Sequence, residues 1–128
     1  MKRNPDCITV LERAGIASHD AWALRRIAMT LHRWHELECG MGDGCIERDE
    51  TTDKTYWLNS YSMRRSPIAD REKGALKRLD KIMSRYPSMS AYVQGDPRGA
   101  SLYILRPGDV PEGQAAESYY SRGVAVYK

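Results

Sequence analysis

Residues 90–128, SAYVQGDPRGASLYILRPGDVPEGQAAESYYSRGVAVYK, constrain the fold more than any other part of this chain. Residues 91–94 and 100–105 have the composition of two hairpin arms around Gly95-Asp96-Pro97-Arg98-Gly99. Arg106-Pro107-Gly108-Asp109 and Pro111-Glu112-Gly113 predict turns, because Pro fixes φ and Gly permits positive φ. Residues 114–120 suit one short helical turn, and residues 123–127 predict a last strand. So much apolar surface in VAVY is expected to be docked rather than frayed. The block defines an antiparallel unit and names no reaction.

Upstream, the periodicity changes. Leu24, Ile27, Ala28, Leu31, Trp34 and His35 recur at helical spacing, with Ser18 and Asp20 as candidate caps and Gly40 as a stop. A shorter helix is expected over 8–13, ended by Gly15. Residues 45–50 and 54–61 predict a hairpin across Thr-Thr-Asp, its first arm weakened by acidic residues. Ala75, Leu76, Leu79, Ile82, Met83 and Tyr86 form the stripe of a second long helix, opened at Ser66-Pro67 or at Asp70 and ended by Pro87. Gly74 within it is expected to serve a close helix–sheet contact. The order helix, hairpin, helix, strands predicts an α+β fold: an antiparallel sheet of about four to five strands with two main helices packed on one face.

At 128 residues the chain is expected to be a single domain, 1–128, large enough to fold without metal or disulfide staples. The three cysteines, Cys7, Cys39 and Cys45, form no disulfide framework and fit free thiols. No apolar run approaches a membrane span, and the first residues lack the apolar core of a secretory signal. The expected compartment is therefore the cytoplasm, with no membrane partner.

The net charge of +3 is small, but its distribution is uneven. Residues 64–85 hold eight basic and three acidic side chains, a balance of +5. Residues 43–53 hold five acidic and one basic, a balance of −4. Lys77, Lys81 and Arg85 share a helical face by i,i+4 spacing, with Arg78 beside them. Such a face suits phosphates or an acidic protein surface, and is otherwise a solvated helix face. With Arg64, Arg65 and the loop-tip Arg98, these are the candidate partner or nucleic-acid binding residues. No zinc-finger, RRM or KH signature accompanies them.

His32, His35, Cys39 and Cys45 gather near the end of the first long helix. Zinc takes Cys and His donors, but five residues separate Cys39 from Cys45, and neither CxxC nor HExxH occurs. A Cys–His nucleophile would need a base oriented by a third group, and none is nominated. No catalytic residue, metal site or cofactor is expected; a metal- or small-ligand-dependent enzyme built on this cluster is the alternative.

Three blocks, ALRRIAMTLHRWHELECG (23–40), PIADREKGALKRLDKIMSRYP (67–87) and AYVQGDPRGASLYILRPGDVPEG (91–113), resemble a group of small uncharacterised proteins encoded by bacteriophages and prophages of proteobacteria. The resemblance implies a bacterial host cell and no assigned catalytic residues. It implies a non-enzymatic binding protein acting on a host or phage protein, such as an anti-CRISPR or anti-restriction inhibitor. A nucleic-acid-binding accessory or regulatory protein using residues 64–85 is the other expectation. The state would be monomer or homodimer.

Overall fold

The computed structural model describes residues 5–37, 44–49, 51, 54–59, 65–67, 70–96 and 99–127. The fold is α+β. Three helices, α1 (Asp6–Arg13), α2 (Ser18–Leu37) and α3 (Asp70–Met83), accompany an antiparallel sheet. Its strands are β1 (Gly44–Asp49), β2 (Lys54–Asn59), β3 (Arg65–Pro67), β4 (Ser90–Asp96), β5 (Gly99–Leu105) and β6 (Val124–Ala125), in the order β3-β2-β1-β4-β5-β6. The expected four to five strands are therefore not the number seen. The element that was not expected is β3, three residues long and too short to leave an alternation in the sequence, whereas the last strand expected over 123–127 is present as β6, shortened to Val124–Ala125.

The β4–β5 hairpin pairs Ala91 with Ile104, Tyr92 with Tyr103 and Val93 with Leu102. Side chains alternate across a pleated sheet, so Val93, Leu102 and Ile104 are buried while Tyr92 and Tyr103 share the other face, half-buried. Tyr120, from a 3₁₀ turn at Tyr120–Arg122, meets Tyr103 edge to face at 5.2 Å. The expected helical turn over 114–120 is thus replaced by two short 3₁₀ turns, Ala116–Ser118 and Tyr120–Arg122. Gly123 then passes β5 so closely that a Cβ would sit 2.6 Å from the Ile104 carbonyl oxygen. Arg106-Pro107-Gly108-Asp109 has Pro second and Gly third at φ 91°, as a type II turn requires.

α2 lies against β5, α3 docks chiefly on α2, and α1 touches α2 and β6. Ala21, Leu24, Ile27, Ala28 and Leu31 of α2 interlock with Ala75, Leu76, Leu79 and Ile82 of α3 and with the buried face of β4 and β5 in one core. Burying each large aliphatic side chain contributes roughly 1.5–3 kcal/mol, so this stripe fixes α2 on the sheet. α1 adds Cys7, Ile8 and Leu11. It ends at Gly15 (φ 104°), where Gly15 N–H bonds Glu12 O and Ile16 N–H bonds Leu11 O, both at 3.0 Å. That is a Schellman closure, with Ile16 and Leu11 both buried as its hydrophobic contact.

Gly74 departs from expectation. Among the described residues a Cβ there would meet only the tip of Arg78, at 3.6 Å, so no close helix–sheet approach among them demands glycine.

Candidate binding surfaces

The first half-turn of α2 and the end of α3 meet through one buried carboxylate. Asp20 is 3% exposed. Its Oδ1 accepts from Arg85 Nη1 at 2.7 Å and its Oδ2 from the Tyr86 hydroxyl at 2.6 Å. The Tyr86 oxygen in turn accepts from Ala17 N–H at 3.0 Å, and His19 Nε2 lies 3.3 Å from Asp20 Oδ1. Asp20 therefore acts as a clamp between two helices rather than as a helix cap. Burial, reinforced by the hydrogen bond to Asp20, pushes the Tyr86 phenol above its usual 10.0. The phenol stays protonated and donating, which suits a structural bond and opposes use as a base.

That clamp also sorts the predicted basic face. Lys77, Arg78 and Lys81 are exposed on α3. Arg85, beyond the end of α3, is drawn to Asp20 and leaves its side chain 48% exposed. Over residues 73–83 four cations, Lys73, Lys77, Arg78 and Lys81, stand against one anion, Asp80. Arg78 also lines a groove of about 480 Å³ with Ile82 of α3 and Ala23, Arg26, Ile27 and Thr30 of α2. Arg26, exposed on α2, thus carries the positive surface across to the neighbouring helix. Arg65 lies in β3 opposite Leu58 of β2, and its side chain, like Arg64 and Arg98, lies outside the described residues.

The His/Cys cluster is only partly visible. His32 stacks on Tyr127 with centroids 5.3 Å apart and planes 23° from parallel. The side chains of His35, Cys39 and Cys45 lie outside the described residues, and among the described ones no three His, Cys, Asp or Glu groups could hold a metal ion. Cys7 is a buried free thiol.

A second surface was not singled out from the sequence. Trp22, Arg25, Met29 and His32 repeat at i, i+3 and i+4 spacing, one residue out of phase with the buried stripe. Trp22, Met29 and Tyr127 are the exposed large hydrophobic side chains among the described residues, at 37%, 40% and 41%. All three surround Arg25. Its Cζ lies 6.0 Å from the centroid of Trp22 and 6.0 Å from that of Tyr127, and its Nη1 lies 3.7 Å from Met29 Sδ. The out-of-phase stripe was visible in the sequence; the arrival of Tyr127 from the segment after β6 was not.

Elsewhere, Arg106 closes its turn on Asp109 through Nε at 2.9 Å and Nη2 at 3.1 Å. Burial pushes Asp109 up, but the Arg106 hydrogen bonds outweigh it and hold the carboxyl below its usual 3.8. Among the described residues no helix is long and apolar enough to cross a membrane. Comparisons with known protein families, curated proteins and solved structures find no match for this chain.

Proposed function

We propose that this chain is a non-enzymatic binding protein that engages an acidic surface on another protein. The setting is the one its sequence resemblance implies: a host or phage protein in the bacterial cytoplasm, with counter-defence inhibition of the anti-CRISPR or anti-restriction kind as the outcome. The observation that carries the reading is the row Lys77, Arg78 and Lys81, exposed on α3 and extended by Arg26 on α2. Among the described residues none of these four forms an ion pair. Solvated cations held on packed helices cost little to bring against carboxylates, and they speed and orient encounter.

The α3 stripe behind the row is buried against α2, so reversing its charges leaves the core intact. Lys77→Glu, Arg78→Glu and Lys81→Glu together should abolish capture of a partner from bacterial lysate while melting within a few degrees of the parent. Unchanged capture would remove α3 from the account. Nucleic acid is the second reading, favoured by the way Arg26 and Arg78 flank one groove. It requires affinity that falls steeply with salt, because phosphate contacts release condensed counterions.

A further inference from the structure

We propose that the face of α2 formed by Trp22, Arg25 and Met29, with Tyr127 laid beside it, docks an acidic–apolar segment of a partner protein. On this proposal a carboxylate of the partner pairs with Arg25, and the apolar neighbour of that carboxylate packs on Trp22 and Met29. The inference rests on the reading of the chain as a protein-binding protein, though not on the α3 row.

Three observations converge there. The exposed large hydrophobic side chains of the described residues all gather around one cation rather than scattering over the surface. Scattered apolar residues need no explanation, but a cluster does. Its composition of Trp, Tyr, Met and Arg is that of interface centres, where rigid rings and a guanidinium supply most of the binding energy.

Arg25 is also incompletely satisfied. Its Nε is buried with no hydrogen-bond partner and out of a docking partner's reach, but among the described residues no carboxylate lies within ion-pair distance of the half-buried guanidinium. A guanidinium between two rings presents a planar fork that matches a carboxylate. The surface around it selects the sign of the partner. Between Ser18 and His32 the one acidic residue is Asp20, which is buried and engaged by Arg85 and Tyr86, whereas Arg26 is exposed beside Arg25.

Tyr127 supplies the third observation. It is the positive-φ non-glycine residue among those described, at φ 88°. Such a backbone costs on the order of 1–3 kcal/mol and persists only where its surroundings hold it. Here the ring is held by the stack on His32 and by Arg25. Arg25 lies over one face each of Trp22 and Tyr127 and His32 stacks on Tyr127, which leaves less ring face for a nucleobase to stack on. A protein segment, which needs ring edges, Met29 and the guanidinium fork, fits the remaining surface.

The experiment is a yeast-displayed library of random peptides selected against the intact chain. The enriched peptides are then measured against Arg25→Ala, Arg25→Glu, Trp22→Ala and the α3 charge-reversed variant. The expected result is enrichment of Asp or Glu next to an aromatic or aliphatic residue. Affinity should fall about tenfold or more in Arg25→Ala and Trp22→Ala, as for an interface centre. It should hold in the α3 variant, while Arg25→Glu turns the preference towards basic peptides. Thermal melts check each fold, and Arg25→Lys, which keeps charge but loses the planar fork, gives a reading if Trp22→Ala unfolds.

No enrichment, enriched peptides without acidic residues, or binding indifferent to Arg25 and Trp22 would each overturn the proposal. So would dimerisation in light scattering that Trp22→Ala abolishes, since a second copy would then cover the face. Binding of oligothymidylate with the same dependence on Trp22 would overturn it too. Peptides that respond to α3 reversal alone would overturn this inference and leave the α3 reading standing.

Discussion

Asp20 and Arg25 are charged residues five positions apart on α2, and their surroundings differ in kind. Asp20 is buried with both oxygens engaged by side chains from the segment just after α3. Arg25 is half-buried among rings and a thioether, with its Nε unpartnered and no carboxylate near it among the described residues. The first arrangement holds two helices together. The second, on our proposal, gains by meeting another molecule. A charge that is fully satisfied within the chain contributes to stability, whereas one left incomplete at a hydrophobic patch is disposed to bind.

The comparison breaks if removing each charge has the same consequence. Asp20→Ala should cost about 2–3 kcal/mol, because it strips the acceptor from a packed phenol and from a half-exposed guanidinium, where screening reduces the ionic share. The urea midpoint reads this directly. Tyr86→Phe is the sharper probe and should cost about 1 kcal/mol, leaving Ala17 N–H and one Asp20 oxygen without their partner.

Tyr86→Phe also carries a pH signature. The folded-state pKa of Tyr86 lies above its unfolded value of 10.0, so the phenol's contribution is complete below about pH 10 and is lost as pH climbs through the folded value. Wild type should therefore lose stability at high pH faster than Tyr86→Phe does. Asp109 runs the other way: its folded pKa is lowered, so its contribution is present above 3.8 and is lost as pH falls through the folded value. Asp109→Asn should flatten that acid limb in the same denaturation series.

Gly74→Ala should stabilise by about 0.5–1 kcal/mol, since helix propensity favours Ala and its methyl would make only an ordinary van der Waals contact with the tip of Arg78. Arg25→Ala should change stability by less than about 0.5 kcal/mol while weakening binding, the reverse of Asp20→Ala. A large loss of stability in Arg25→Ala would make it a second clamp and remove the distinction.

Much of the architecture was legible because its causes are local. The stripe through Leu24, Ile27, Ala28 and Leu31 and the stripe through Ala75, Leu76, Leu79 and Ile82 are buried as periodicity predicts. Gly15 ends α1, and Arg106-Pro107-Gly108-Asp109 forms the turn its Pro and Gly demand. What failed to show depends on distance. Asp20 has the sequence context of a cap, and only partners 65 and 66 residues away turn it into a clamp. Arg85 fits the basic row by spacing, yet the same carboxylate claims it. β3 exists through pairing with β2 rather than through propensity of its own. Tyr127 reaches Arg25 because the segment after Gly123 pairs alongside β5 and then meets α2.

The most direct test of the account is a pull-down from bacterial lysate with the intact chain as bait, run with and without nuclease. Parallel baits carry reversed charges at Lys77, Arg78 and Lys81 or at Arg25. The account predicts one stoichiometric protein that survives nuclease and is lost from both charge-reversed baits. Capture that disappears with nuclease, or that persists on both reversed baits, would contradict it.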